Sequence, residues 1–394
     1  MEAFRKVQVP LSELELPDSD TVRVLIEGQP FWVHTAVGGL PVKILRDKCA
    51  HMGNRVFKTR NGFVCRTHGW CYDSEGINEV PGNPALEEIQ FEIENTDLWL
   101  NLPSVTKLGS QGGQLRGDEQ LELLSHATFL LAANGRRVLF DPWLVGPTYW
   151  GSWHLWPRNP VRVESLGITD VVITHPHPDH FHLPTLNRLP RAISIHIPNF
   201  ESGILQTELR KMDFMDINLI HWEVAYELTD GLVISFLRPT SMWEDASCLV
   251  SLNGWNWLNQ NDSGAALRDE LLPDSIDLLT TSFDVGASGY PLTWNVGQTR
   301  SKAILRNKRS QILESIRERA QTINARYYAP FAGWWRHGLT EHEEFANALP
   351  RTSLADLREA FSDISTTLIE TIPSSKVNLK SMTHTCNEYI LAEM

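Results

Sequence analysis

Two short stretches place cysteine and histidine at spacings that serve metal chemistry. Cys49-Ala50-His51 and Cys65-Arg66-Thr67-His68 read C-x-H and then C-x-x-H. Delivered by two loops, two thiolates and two imidazoles can hold a two-iron cluster, with both cysteines on one iron and both histidines on the other. Exchanging two thiolates for imidazoles removes negative charge. That lifts the reduction potential to roughly −150 to +300 mV, against about −400 mV for plant-type clusters, and such a centre passes single electrons. The competing reading is a zinc site made from the same four residues, although a classical finger keeps its cysteines together and its histidines together. Cys71 is left as a neighbour because the four ligand positions are already filled. A second stretch, Thr174-His175-Pro176-His177-Pro178-Asp179-His180, follows a β-branched run and places three imidazoles and a carboxylate in one loop. Those ligand types suit a first-row transition metal.

Such ligands need a scaffold, and the chain supplies two of different texture. Short β-like runs at residues 21–26, 31–37, 41–45, 62–64 and 91–100, separated by turns, predict a small antiparallel β domain. Residues 103–119 are turn formers without apolar periodicity and read as a linker. Beyond them, strands are expected at 121–124, 137–140, 170–174, 192–197, 233–237, 248–252 and 278–280. A helix is expected over about 301–323, where Ile312, Ile316, Ala320 and Ile323 fall at i+4 and i+3 spacing. Leu354, Leu357, Phe361, Ile364 and Leu368 mark a further amphipathic helix before Pro373.

Composition narrows the partners. With 394 residues, 42 % hydrophobic and 21 % charged, the chain is globular and long enough for two or three domains. A net charge of −13 argues against broad nucleic-acid binding or docking on an anionic membrane, and would steer a positively charged protein partner. No stretch approaches the roughly 18 apolar residues of a membrane helix, and the first 13 residues lack an apolar signal core, which predicts a cytoplasmic protein. Five scattered cysteines do not make a disulfide framework. The 14 tryptophans, several beside the ligand stretches, read as core packing or as aromatic walls that could stack on a nucleobase or sugar.

The first pattern, with Gly53, Gly69 and the run Gly69-Trp70-Cys71-Tyr72-Asp73, resembles the Rieske domains of oxygenases; its 13-residue spacer from His51 to Cys65 is somewhat shorter than usual there. The second resembles the metallo-β-lactamase superfamily. By that resemblance His175 and His177 serve one metal position, and Asp179 and His180 another. Asp262, in Asn259-Gln260-Asn261-Asp262, matches the bridging aspartate. His337 stands where the last histidine is expected, with His342 as competitor, while His126 and Asp141 match positions that line or buttress the site. The superfamily's middle histidine is missing near residues 239–245. Three explanations compete: His154 or His196 substitutes, Glu244 or Asp245 coordinates instead, or the first position is weakened and one metal occupies the second. The third is adopted here.

The order of Rieske domain, linker and metallo-β-lactamase domain resembles the CMP-N-acetylneuraminate hydroxylase family, with further likeness at residues 138–147, 282–291 and 328–333. The resemblance implies an α+β fold: a Rieske domain at 1–105, a linker at 106–119, a metallo-β-lactamase-like αββα sandwich at 120–349 and a C-terminal helical extension at 350–394. It implies a monooxygenase with a 2Fe-2S cluster on Cys49, His51, Cys65 and His68 and non-haem iron, one or two ions, on residues drawn from His175, His177, Asp179, His180, Asp262 and His337. Asp179, His180 and Asp262 would carry the chemistry. Dioxygen and a small polar substrate, with nucleotide- or sugar-linked molecules as candidates, would react. Electrons would come from a ferredoxin or a b5-type cytochrome served by a separate NAD(P)H reductase, since the chain has no G-x-G-x-x-G fingerprint. The alternative is a zinc-dependent hydrolase with a redox-sensing Rieske domain.

Overall fold

The computed structural model describes residues 4–26, 29–50, 56–65, 69–103, 107–109, 113–158, 160–238, 244–263, 269–286, 297–340, 343–387 and 390. They form two compact units, the first built mainly from residues up to 107 and the second mainly from residue 108 onward.

Three antiparallel three-stranded sheets make the first unit. Phe4–Pro10, Asp97–Pro103 and Phe91–Glu94 form one, Thr21–Ile26, Gln29–Thr35 and Pro41–Arg46 a second, and Phe57–Lys58, Gly62–Cys65 and Trp70–Asp73 a third. The run expected at 91–100 is two strands, because Asn95 turns left-handed at φ 58° and brings Glu94 opposite Asp97. Val7, Ile26, Phe31, Val33, Ile44, Leu98 and Leu100 form one buried cluster. A second cluster, with Trp32, Leu45, Val56, Phe63 and Tyr72, encloses Cys49 and Cys65. Gly62 makes the third sheet possible: at φ 152°, a Cβ there would lie 2.1 Å from the Tyr72 carbonyl oxygen. The tight pairing places Cys65 opposite Trp70 and Phe63 opposite Tyr72.

The second unit is a sandwich of two sheets. The eight-stranded sheet runs Ile217–Ile220, Ser194–Pro198, Asp170–Val172, Arg136–Phe140, Thr128–Ala133, Gln120–Ser125, Lys376–Asn378 and His384–Thr385. The seven-stranded sheet runs Tyr226–Thr229, Leu232–Leu237, Ser247–Leu252, Trp255–Asn261, Ile276–Ser282, Ala325–Phe331 and Thr367–Leu368. Their inner faces meet through rings: Trp257 lies 5.3 Å from Phe129 and 4.9 Å from Phe140, and Phe129 stacks on Phe331 at 5.5 Å. Burying one such phenylalanine contributes about 2–3 kcal/mol. Helix Ile204–Lys211 covers the first sheet with Leu205 and Leu209 in its core. Helix Gln298–Thr322, with Ile316 and Ala320 buried as its spacing predicts, packs beside Ala325–Phe331 and helix Leu354–Phe361 on the second.

Several elements differ from expectation. Thr128–Ala133 and Ala325–Phe331 are strands that the apolar pattern alone does not separate from buried helix. In the C-terminal region expected to be helical, the described residues form the helix Leu354–Phe361, and after it Thr367–Leu368, Lys376–Asn378 and His384–Thr385 are strands that extend both sheets. Sheet edges with unpaired backbone groups outweigh helix propensity there, and Ile369, Ile372, Val377 and Leu379 are buried. The described part of the expected linker is packed. Glu119 is buried and accepts the Arg116 and Gly117 amides, both at 2.6 Å, and a Cβ at Gly113, φ 106°, would press on the Asn253 backbone at 3.1 Å. Among the described residues no helix is long and apolar enough to cross a membrane.

Candidate metal centres

The candidate ligands of the second unit gather at strand ends. His126 follows Gln120–Ser125, Asp141 follows Arg136–Phe140, the H-x-H-x-D-H loop follows Asp170–Val172, Asp245 precedes Ser247–Leu252 and Asp262 follows Trp255–Asn261. The Ala246 amide donates to the Thr174 carbonyl at 3.4 Å, which ties the Asp245 segment to the loop; the Ala332 amide does the same for the His126 carbonyl at 2.9 Å.

Three overlapping triads result: His175, His177 and Asp245; His175, His180 and Asp262; and His126, Asp179 and His180. Within each, the ligand atoms lie within 4.8 Å of one another. Asp245 Oδ1 is 3.8 Å from His175 Nε2 and 3.7 Å from His177 Nδ1; His180 Nε2 is 3.6 Å from Asp179 Oδ2 and 3.5 Å from Asp262 Oδ2. These gaps are too long for hydrogen bonds. They are close to the roughly 3.4 Å that separates two ligands each about 2.1 Å from a shared tetrahedral ion.

Partners behind the ligands fix which atoms face the centre. The Thr174 hydroxyl donates to Asp141 Oδ2 at 2.8 Å, so its lone pair takes the proton on His175 Nδ1 at 3.0 Å. Asp141 Oδ2 also accepts from His180 Nδ1 at 3.2 Å and from the Asn261 amide at 3.0 Å. Both histidines therefore turn a bare Nε2 inward, and both atoms are buried without a hydrogen-bond partner. Orphaned buried nitrogens of this kind are uncommon, and a metal ion satisfies them. The donor set fits. Asp141 and Asn261 hold left-handed backbones, φ 45° and 63°, and such strain in buried polar residues clusters at functional sites.

Electrostatics separate the two histidines. Burial, with His180 and His177 nearby, holds His175 well below the ordinary histidine pKa. Burial opposes protonation of His180 too, but Asp179, Asp141 and Asp262 outweigh it and hold its pKa well above the ordinary value, so positive charge is stabilised at that point. Burial alone would raise Asp179; the His180 charge and the hydrogen bonds from His126, 3.2 Å, and the Tyr149 hydroxyl, 2.6 Å, hold it well below the usual carboxylate range. Tyr149 keeps its proton because burial and Asp179 raise its pKa. The floor of the site is buried, whereas the His177 and Asp262 side chains are 45 % and 31 % exposed and form its rim.

In the first unit Cys49 and Cys65 are buried, and no disulfide joins any of the five cysteines. The Tyr72 hydroxyl accepts the Ala50 amide at 3.1 Å and lies 3.1 Å from Cys49 Sγ, leaving its own proton for the sulfur. Burial first, and the neighbouring Cys49 second, push the Tyr72 pKa up, so the donor persists at neutral pH. His51 and His68 lie outside the described residues.

Residues 6–91 match the Rieske 2Fe-2S domain family, and residues 120–234 match the beta-lactamase superfamily domain. The chain joins a Rieske domain to a beta-lactamase-superfamily domain. It is 27 % identical over 379 residues to the cytidine monophosphate-N-acetylneuraminic acid hydroxylase of Danio rerio, covering 90 % of this chain and 64 % of that protein. It is 25 % identical over 317 residues to the protein of that name from Cricetulus griseus, covering 75 % and 56 %. The chain thus spans less than two thirds of the length of these relatives. Among solved structures, CmlA, a diiron β-hydroxylase from Streptomyces venezuelae, aligns at 15 % identity and TM-score 0.46 over 72 % of this chain and 55 % of that one.

For the Rieske domain, Tyr72→Phe removes a hydrogen bond that favours the more negative, reduced cluster. The midpoint potential should fall by about 60 mV if the bond's differential strength is about 1.4 kcal/mol. Voltammetry of the purified protein measures it.

Within the lactamase-fold domain three of the residues considered for the middle ligand have other partners or places, and one lies beside the histidines. Asp245, one of the alternatives weighed for the middle ligand, lies with its carboxylate oxygen near both His175 and His177 and forms a group with them that could hold a metal ion. Glu244 instead bonds Ser202, with Glu244 Oε2 2.6 Å from the hydroxyl; His196 is paired with Asp170 at 3.0 Å, and His154 belongs to the strand Trp153–Leu155. His337 stands apart from the other candidates. It lies on Trp335–His337, paired opposite Trp153 and edge-on to Trp335 at 4.9 Å, and it belongs to none of the ligand triads among the described residues. His126 supplies the imidazole beside Asp179 and His180. His342 lies outside the described residues. Sequence reasoning missed Tyr149, Thr174 and Asn261, common polar types whose roles appear only when distant strands meet.

Proposed function

We propose that the chain is the terminal component of a monooxygenase. The observation that carries this is the presence, in one polypeptide, of a Rieske electron-transfer domain and a histidine–carboxylate centre with an accessible rim. A zinc hydrolase polarises water and needs no electrons, so a Rieske domain would be idle beside one. The names of the similar Danio rerio and Cricetulus griseus proteins support a hydroxylase.

Cys49 and Cys65, with His51 and His68, would hold the 2Fe-2S cluster. His175, His177, Asp245 and Asp262 would hold one iron, and Asp179, His180, His126 and Asp262 a second. Iron held by these histidines and carboxylates would supply dioxygen activation. One atom of dioxygen enters a substrate C–H or N–H bond and the other leaves as water, with two electrons and two protons supplied from outside. The electrons come from a ferredoxin or a b5-type cytochrome and its NAD(P)H reductase. The substrate is small and polar, with nucleotide- or sugar-linked molecules as candidates, and the five cysteines, none in a disulfide, suit the reducing cytoplasm.

This chain's own residues set the conditions. Asp141 and Thr174 orient His180 and His175, Tyr149 keeps Asp179 ionised and aimed, and Trp143 and Trp153 pack on the His126 ring at 5.4 and 6.1 Å, which keeps water from the buried side. Metal analysis after anaerobic purification from iron-rich, zinc-poor medium tests the reading: about four irons per chain are expected, and two irons plus zinc would sink it.

A further inference from the structure

We propose that an arginine-lined cavity in the lactamase-fold domain binds the phosphate group of a small molecule. Arg158, Arg162, Arg188 and Arg336 line a cavity of about 550 Å³ together with His154. A second hollow of about 490 Å³ shares Val161, Arg162 and Arg188 with it and adds Glu164. The guanidinium groups rise from fixed backbone. Arg162 precedes the buried Val163, Arg188 sits between the core residues Leu186 and Leu189, and Arg336 follows the buried Trp335. Arg336 is also directly opposite His154 in the two-stranded ribbon Trp153–Leu155 and Trp335–His337, so both side chains leave the same face. Its guanidinium lies 4.4 Å over the Trp156 ring.

These four arginines are exposed and converge on one cavity with little carboxylate opposite them. Elsewhere in the domain Arg309, Arg317, Arg326, Arg351 and Arg358 each meet an aspartate or glutamate. Among the described residues no ion pair forms to Arg158, Arg162 or Arg336, and Arg188 has only Glu164 at 3.9 Å. Acidic residues are abundant in this chain, 48 against 35 basic, so three unpaired guanidinium groups around one cavity are not explained by a shortage of partners.

The chemistry selects the ligand. Guanidinium forks match phosphate oxygens in pairs, and three of them balance the charge of about −1.5 to −2 on a phosphate monoester better than that of one carboxylate. The cavity has the volume of small-molecule sites, and a net charge of −13 opposes a long polyanion. Leu144, Leu155 and Val161 offer an apolar wall to the rest of the molecule. The site stands on its own geometry and does not depend on the oxygenation reading.

Calorimetric titration of the full chain with inorganic phosphate tests it, with chloride at matched ionic strength as reference and, as a second readout, the phosphate-dependent tryptophan fluorescence change that is lost in Trp156→Phe. Saturable binding to phosphate alone is expected. Arg162→Ala and Arg336→Ala should each weaken it by about tenfold or more, as loss of a charge-assisted pair does. Arg358→Ala, at a paired surface arginine, should leave it unchanged. The same response to chloride, no saturation, or phosphate binding that survives in the Arg162→Ala, Arg336→Ala double variant with unchanged circular dichroism would overturn the proposal.

Discussion

His180→Ala is expected to abolish hydroxylated product while leaving the EPR signal of the reduced Rieske cluster intact. His180 belongs to two of the three ligand triads, and its Nε2 faces Asp179 and Asp262 at once. Losing only an orienting partner costs a metal site about 10–100-fold, so losing the ligand itself should exceed the upper end of that range. Asp179→Ala should behave alike, since it takes away the carboxylate on which His126, Tyr149 and His180 converge. Product formation and cluster EPR are read on the same sample. If the cluster signal vanished with the product, the assignment of the two centres to separate domains would be wrong.

Asp245→Ala carries the second large effect and distinguishes one metal from two. With Asp245 present, His175 and His177 have a carboxylate between them; without it that position keeps the two histidines, one of them half-exposed, and only the Asp262 carboxylate that it shares with the second position. Burial raises the Asp245 pKa and the nearby Asp262 and Asp179 charges reinforce this against His177 and His180, as expected of a carboxylate waiting for a cation. Iron in the lactamase-fold domain should fall by about one equivalent, with the 2Fe-2S content unchanged. Asp245→Glu should restore part of it. An unchanged iron count would return the site to the single-metal reading drawn from the sequence.

The parts readable from sequence were those whose ligands are close in the chain. The C-x-H and C-x-x-H pairs and the H-x-H-x-D-H loop carry their chemistry within a few residues, and a change of texture near residue 105 suggested where one domain gives way to the next. Asp245 was only one of several alternatives because its partners lie some seventy residues earlier, and an aspartate alone announces nothing. His337 was chosen by order along the chain, and its strand pairs with Trp153–Leu155, outside the three ligand groups found among the described residues. The C-terminal strands escaped because each is two or three residues long, and their pairing, more than their composition, makes them strands.

The Asp141–Thr174–Asn261 network has a consequence for metal selectivity. Because these three side chains set the tautomers of His175 and His180, the pocket is shaped for any divalent ion of the right size. A preformed nitrogen and oxygen site follows the intrinsic affinity series, in which zinc stands above ferrous iron. Correct loading therefore falls to the cell, through the relative supply of the two metals while the chain folds. Zinc excess during expression would yield a well-folded protein with a reducible Rieske cluster and no turnover, a mismetallated form that iron reconstitution after chelation should rescue.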